Sequence, residues 1–142
     1  MDNNMNGESK SVNNWEGEAF EKMLFDYLEN GYLENIITFF EHEPSQLSLI
    51  PKILADERLR LKVGALAIIE ELKNKNFKEL SNITPLLVEL LKSPEKNIRA
   101  DAAFALELIS DLNAKPALIE ALKKEQDPQV KELIEDALKR LQ

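Results

Sequence analysis

The 142-residue sequence contains no cysteine, only four glycines and six prolines, and a single histidine. Without cysteine the chain can form no disulfide and offers no thiolate as a nucleophile or metal ligand. Its glycines are isolated, so it contains neither a phosphate-binding P-loop nor a G-x-G-x-x-G dinucleotide motif. The absence of cysteine also favours an intracellular location.

The histidine, His42, lies between Glu41 and Glu43, a fragment that resembles part of a metal site. Transition-metal sites need further histidine or cysteine ligands, which the sequence does not supply. We therefore expect a solvated helix end here. Adjacent carboxylates such as Glu70 and Glu71 point in different directions on a helix, so no catalytic pair stands out. The sequence predicts no metal, no cofactor and no enzymatic activity.

Long apolar runs are also missing. The clearest run, GALAII at residues 64–69, is far shorter than the ~20 residues that span a bilayer, and no secretion signal opens the chain. The net charge is −8, with 12 acidic and three basic residues in 1–57 and a near balance of 14 and 15 in 58–142. An acidic chain repels phosphate groups. We therefore expect an acidic cytoplasmic protein that binds neither nucleic acid nor membranes.

From Trp15 onward the apolar residues recur with helical spacing, whereas residues 1–14 are polar, lack periodicity and are predicted to be a disordered tail. Three later segments align with one another at spacings of 37 and then 32 residues, which identifies an internal repeat. They are LKVGALAII (61–69), IRADAAFAL (98–106) and VKELIEDAL (130–138). The segments upstream of them repeat at the same spacings, so each unit consists of two helices, A and then B.

The periodicity and its breaks predict eight helices, near residues 18–30, 32–42, 46–55, 58–73, 83–92, 96–110, 114–124 and 128–141. Asn82 and Asn113 each precede a proline by three residues and are predicted to cap the helices that follow them. Pro51 predicts either a late helix start with Ser48 as the cap, or a kink in the helix. Gly31 suits the position just after a helix end.

The residues of the C-terminal half follow a family pattern, which is carried by Ile98-Arg99, Ala102-Ala103, Ala105-Leu106, Ser110-Asp111, Leu118, Leu122, Asp127 and Val130-Lys131. This pattern resembles the HEAT repeat, in particular the HEAT-like repeats first noted in phycocyanobilin lyases. Two positions depart from it, because serine replaces glycine at 110 and lysine replaces arginine at 131. The resemblance implies an all-α fold, a right-handed α-α superhelix (a HEAT or armadillo-like solenoid) of about four helix pairs. Residues 15–142 would form one domain, with a divergent N-terminal capping pair over 15–43 and three repeats over 44–142.

HEAT-like families are mostly interaction scaffolds, so the resemblance implies a non-catalytic scaffold or adaptor that binds another protein on its concave face. The alternative is a chaperone or subunit of the bilin (tetrapyrrole) lyase type. A HEAT-repeat DNA glycosylase would need a basic concave face, whereas the B helices carry Glu70, Glu107, Glu132 and Asp136 on that side.

The alanine-rich helix over 96–110 has two distinct sides. The core side of its helical wheel holds Ile98, Ala102, Ala105, Leu106 and Ile109, with Ala103 at the edge. Alanine there lets neighbouring helices approach closely. Phe104 lies on the opposite side, beside acidic residues.

Because B helices line the concave surface of a HEAT stack, the side with Phe104 predicts a docking groove for a partner segment of apolar and basic character. The predicted binding residues are Val63, Ala67, Glu70, Phe104, Glu107 and Asp136. The alternative is that Phe104 is an ordinary exposed side chain, or that rotation of the helix buries it.

Basic residues recur at one position of the repeat, as Lys62, Arg99 and Lys131. They predict a charge ladder between repeats, with Glu95 or Asp127 of the preceding turn as partners; the alternative is an anion site.

Seven of the nine aromatic residues lie between residues 15 and 40. This stretch lacks the repeat motif, as terminal repeats often do, so we expect it to cap the solenoid. The alternative is that Trp15, Phe39 and Phe40 form a surface for a homodimer or another partner.

Overall fold

The computed structural model describes residues 17–142; the tail predicted over 1–14 and Trp15 lie outside them. Within that range the chain is all-helical and contains no strand. Its α-helices are α1 Glu18–Glu29, α2 Leu33–His42, α3 Ile50–Leu54, α4 Leu59–Asn74, α5 Thr84–Leu90, α6 Lys96–Ile109, α7 Lys115–Lys124 and α8 Pro128–Arg140. The all-α prediction and the eight predicted helices are confirmed. We refer to α1, α3, α5 and α7 as the A helices and to α2, α4, α6 and α8 as the B helices.

Three A helices begin later than the sequence predicted, because a 3₁₀ turn precedes each of them. The turns are Pro44–Leu49, Lys78–Ile83 and Leu112–Ala114. Helices α3, α5 and α7 have a proline in their first turn (Pro51, Pro85 and Pro116), where no intrahelical bond needs the missing N–H. No side chain caps these three helix starts. The late start at Pro51 is confirmed, whereas the predicted caps Ser48, Asn82 and Asn113 are wrong.

The B helices α4, α6 and α8 lie side by side, and each A helix packs against the B helix of its own pair. Polar contacts between α4 and α6 join residues about one repeat apart. Lys62 Nζ lies 3.2 Å from Asp101 Oδ2, and Lys73 Nζ donates to the Ile109 carbonyl at 2.7 Å. The first contact joins the N-terminal halves of the two helices and the second joins their C-terminal ends, so α4 and α6 run parallel. Equivalent helices of successive units in an α-solenoid have this orientation.

Helix α6 is enclosed on several sides, because α4, α5 and α8 all pack on it. Its buried residues are Ala102, Ala103, Ala105, Leu106 and Ile109. The small side chains allow three helices to approach it closely. The predicted core side of α6 is therefore confirmed except at Ile98, which lies in the first helical turn and is only half-buried.

The pair α1–α2 packs on α4 through a contact that requires glycine. A Cβ at Gly64 would lie 2.9 Å from Leu28 Cγ, well inside the ~3.5–4.0 Å at which carbon atoms normally meet. Two ion pairs of 3.0 Å join the first helix pair to the second, and their partners are 31 and 34 positions apart in the sequence. They are Lys52–Glu21 and Lys75–Glu41. The first pair is thus offset from the second by about the length of one repeat.

The phenylalanines of the first pair fill its core. Phe40 is 0% exposed, and the half-buried Phe39 packs on Phe40 and Phe20, with ring centroids 5.5 and 5.6 Å apart. The alternative that placed Phe40 in a homodimer surface is therefore wrong, because the fold encloses its ring. The exposed aromatic side chains of this pair are instead Tyr27 and Tyr32.

Left-handed residues end three of the helices: Gly31 after α1, Asn76 after α4 and Ser110 after α6, with φ of 92°, 57° and 56°. The prediction for Gly31 is confirmed. Ser110 occupies the position at which the family pattern has glycine, and its Oγ donates to the Glu107 carbonyl at 2.8 Å. The serine keeps the turn that glycine would make, at a backbone cost of ~1 kcal/mol.

Candidate partner-binding surface

The six predicted binding residues lie on α4, α6 and α8, and we call the surface that they define the B-helix face. Val63 is 58% exposed and Phe104 is 38% exposed. Glu70 is exposed, whereas Ala67, Glu107 and Asp136 are half-buried. Rotation of α6 therefore does not bury Phe104, and an aromatic ring is available to solvent on this side of the repeats.

The apolar part of the B-helix face extends further than the sequence predicted. Leu59 lies one helical turn before Val63 and is 73% exposed. The repeat register sets Val63 beside Ala100 and Ala67 beside Phe104 on the neighbouring helix. Leu59 lies outside the repeat motif, so motif matching missed it, although its spacing of four residues from Val63 could have identified it. The result is an exposed apolar row across two helices.

Three carboxylates, those of Glu70, Glu107 and Asp136, flank this row. They differ in whether a basic side chain of the same chain pairs with them. Glu107 lies 3.9 Å from Arg140 Nε, and its side chain is largely covered. Among residues 17–142, neither Glu70 nor Asp136 forms an ion pair. Two carboxylates at the edge of an apolar row can thus accept hydrogen bonds from lysine or arginine side chains of another molecule.

The charge ladder exists, but its partners differ from the predicted ones. Arg99 donates from Nε and Nη2 to the two carboxylate oxygens of Glu125, at 2.8 and 2.9 Å, and from Nη1 to the Ser93 carbonyl at 3.0 Å. Neither Glu95 nor Asp127 pairs with Arg99, because the guanidinium reaches forward to the turn after α7. Glu125 binds the guanidinium at two points, so Arg99 is committed to the protein rather than to an external anion.

The environment of this turn changes the acidity of two carboxyl groups. The hydrogen bonds from Arg99 hold the pKa of Glu125 below its ordinary value of 4.5. Asp127 caps α8 by accepting from the Gln129 and Val130 N–H groups, and its pKa is lowered chiefly by the bond from Val130. Both carboxylates are therefore stabilised in their charged form by the folded turn.

Lys131, at the third position of the predicted ladder, is exposed and forms no ion pair within the part of the chain that the structure describes. The ladder joins α4 to α6 and α6 to the α7–α8 turn, and it does not include α8.

The residues that suggested other chemistry have structural roles. His42 Nδ1 donates to the Thr38 carbonyl of its own helix at 2.9 Å, which confirms an exposed helix end. Across residues 17–142, no cluster of three or more histidine and acidic side chains could hold a metal ion. Over the same residues, every helix is too short or too polar to cross a bilayer.

Comparison with known proteins identifies the repeat. A family model described as HEAT repeats matches residues 48–139, well over half of the chain. No curated protein matches the chain. The matched range covers α3, α4, α5, α6 and α7 in full, together with all six residues that define the B-helix face. The chain therefore belongs to the HEAT repeat family.

Proposed function

We propose that this chain is a non-catalytic scaffold or adaptor that binds a partner protein across the B-helix face, on the concave side of the solenoid. HEAT-repeat proteins generally act as interaction scaffolds and are typically not catalysts. The observation that carries the proposal is the exposed apolar row formed by Leu59, Val63 and Phe104, with two unpaired carboxylates at its edge.

The chemistry of the face favours a partner segment that combines apolar and basic side chains. Phe104 offers an aromatic contact of the kind that dominates binding energy at protein interfaces. Glu70 and Asp136 carry negative charge that no ion pair within residues 17–142 neutralises. Such charges steer an oppositely charged segment and fix its register. We expect this binding to weaken as salt increases. A protein partner in the cytoplasm, rather than nucleic acid or a membrane, is consistent with the acidic chain.

The test compares two truncations of exposed apolar residues. We expect Phe104→Ala to lose the partner in affinity purification from native cells, whereas Leu112→Ala should retain it. Leu112 is the matched control because it is 63% exposed but lies in the turn before α7, away from the B-helix face. Circular dichroism should show both variants folded. A Phe104→Ala protein that still captured every partner of the wild type would contradict the proposal.

Two further measurements refine the test. Glu70→Lys should weaken the same interaction and reduce its salt dependence, because it reverses one unpaired charge. Titration with a bilin should leave the pigment absorbance unchanged; specific uptake of the tetrapyrrole would favour the lyase-type alternative instead.

We also propose that residues 15–142 form one domain in which 15–43 cap the solenoid and 44–142 hold three repeats. The contact between Leu28 and Gly64 and the two ion pairs from α1 and α2 support this division.

A further inference from the structure

A second open surface lies on the A-helix layer, between α5 and α7. The two helices are equivalent members of successive repeats, and a cleft of about 670 Å³ separates them. Val88 on α5 and Leu91 just after it line one wall, and Ala117 and Ala121 on α7 line the other. We call this space the A-helix cleft. The cleft borders none of the six residues of the B-helix face.

The spacing of the wall residues suits a helical ligand. Ala117 and Ala121 are four residues apart and lie on one side of α7. Leu91 is three residues after Val88 and keeps right-handed helical backbone angles, so these two residues also lie on one side. The alanines leave space that longer side chains at those positions would fill. A groove between two helices with apolar walls of this kind accepts the apolar stripe of an amphipathic helix.

One side chain connects the ends of the two walls. Arg99 lines the cleft and donates to the Ser93 carbonyl, just after α5, and to the Glu125 carboxylate, at the end of α7. A single guanidinium therefore connects the C-terminal ends of both walls. Because the side chains of Arg99 and Glu125 are largely covered, this tie is shielded from solvent. A preformed groove loses less conformational entropy on binding than one that must open.

The lining of the cleft carries three basic residues, Lys92, Arg99 and Lys124, and two acidic ones, Glu120 and Glu125, of which Glu125 is bound by Arg99. Lys92 and Lys124 occupy equivalent repeat positions, 32 residues apart, and both line the cleft near the C-terminal ends of its walls. Their ammonium groups pair with Glu89 and Glu120 at 3.5 Å, with all four side chains at least half exposed. Exposed ion pairs between residues close in sequence contribute little, so the lysines can exchange these partners for others.

We propose that the A-helix cleft binds an amphipathic helix of a partner protein that places acidic side chains between Lys92 and Lys124. This inference goes beyond the proposed function, because the ligand has the opposite charge and contacts the other helical layer. The two sites can therefore be occupied at the same time by different segments.

The test uses two designed helical peptides with the same leucine stripe, one ending in glutamates and the other in lysines. Titrated into the full chain, the glutamate peptide should shift the NMR amide signals of Val88, Leu91, Ala117 and Ala121. The double variant Lys92→Glu/Lys124→Glu should weaken its binding by about tenfold or more, since two attractive contacts become repulsive. The matched control is Lys115→Glu/Lys123→Glu, which changes two exposed lysines of α7 that do not line the cleft.

Several results would overturn the proposal. They are equal affinity for the two peptides, equal loss in the two double variants, or signal shifts confined to the B-helix face. Sedimentation of the free chain at several concentrations is the last arm. If the free chain is a dimer and the double variant Lys92→Glu/Lys124→Glu is a monomer, a second copy of the chain, rather than a partner helix, occupies the cleft.

Discussion

The packing of Leu28 on Gly64 predicts that Gly64→Ala destabilises the protein, against the usual effect of this change in a helix. In the interior of a helix, alanine is more favourable than glycine by ~0.5–1 kcal/mol. Gly64 lies within α4, and its φ is not in the left-handed region, so this gain is available. Whether Gly64→Ala raises or lowers the free energy of unfolding therefore depends on the atoms that the new methyl group contacts.

The methyl group meets three carbons at once. The added Cβ would lie 2.9, 3.0 and 3.1 Å from Cγ, Cδ1 and Cδ2 of Leu28, which is 3% exposed and enclosed by the core. Relieving these contacts requires Leu28 to move by roughly 0.5–1 Å, which displaces α1 from α4. Overpacking of this kind costs ~1–3 kcal/mol. When the gain in helix propensity is subtracted from this cost, we expect a net destabilisation of about 1 kcal/mol. This corresponds to a fall in Tm of roughly 4 °C.

The assay is urea and thermal unfolding of four proteins: wild type, Gly64→Ala, Leu28→Ala and the double variant. Leu28→Ala alone should cost ~2–5 kcal/mol because it leaves a cavity. In that background Gly64→Ala should become stabilising, since the clash is gone and the helical gain remains. The same effect of Gly64→Ala in both backgrounds, or a more stable single variant, would refute the placement of α1 on α4.

Three further predictions concern the Arg99–Glu125 ion pair, the left-handed residues at helix ends and the core of α6. Glu125→Gln should cost about 2 kcal/mol in urea unfolding at pH 7, because it breaks a largely covered two-point ion pair. Because the pKa of Glu125 is lowered by folding, its contribution is present above pH 4.5 and is lost as the pH falls below that value; the Gln variant should therefore converge on the wild type in acid. A constant difference at all pH values would count against this reasoning. Ser110→Gly should raise stability by about 0.5 kcal/mol, as relief of the left-handed strain exceeds the loss of the Oγ hydrogen bond, whereas Gly31→Ala should lower it. Ala102→Phe should lower Tm strongly, at ~1–3 kcal/mol or more, because Ala102 is fully buried; unchanged thermal stability would disprove its position in the core.

The sequence predicted the helices well because each has a local signal. Apolar spacing identifies α4, α6 and α8, and Gly31 identifies the end of α1. The asparagine caps failed because Asn82 and Asn113 lie within 3₁₀ turns, and the α-helices begin only where these turns end, at Thr84 and Lys115. Local sequence marks the turn there but does not determine at which residue the helix begins.

The features that the sequence did not predict depend on tertiary contacts. Arg99 was expected to take part in a ladder between repeats with Glu95 or Asp127 as partners. Its actual partner, Glu125, is 26 residues away and is reached only once α7 is in place. The position of Phe40 in the core follows from the way α2 docks, which composition alone does not reveal. The exposure of Phe104 was a question of helix rotation, and it is decided by the three helices around α6.

The contacts between helix pairs join residues that are close to one repeat apart in the sequence, and this has a consequence for how the chain can fold. The described polar contacts between pairs join residues 26 to 39 positions apart, so no pair needs a distant part of the chain in order to dock. Such low sequence separation favours rapid folding by stepwise addition. During synthesis, α1 and α2 can receive α3 and α4 before the later repeats exist, and each new pair then finds its binding surface already assembled.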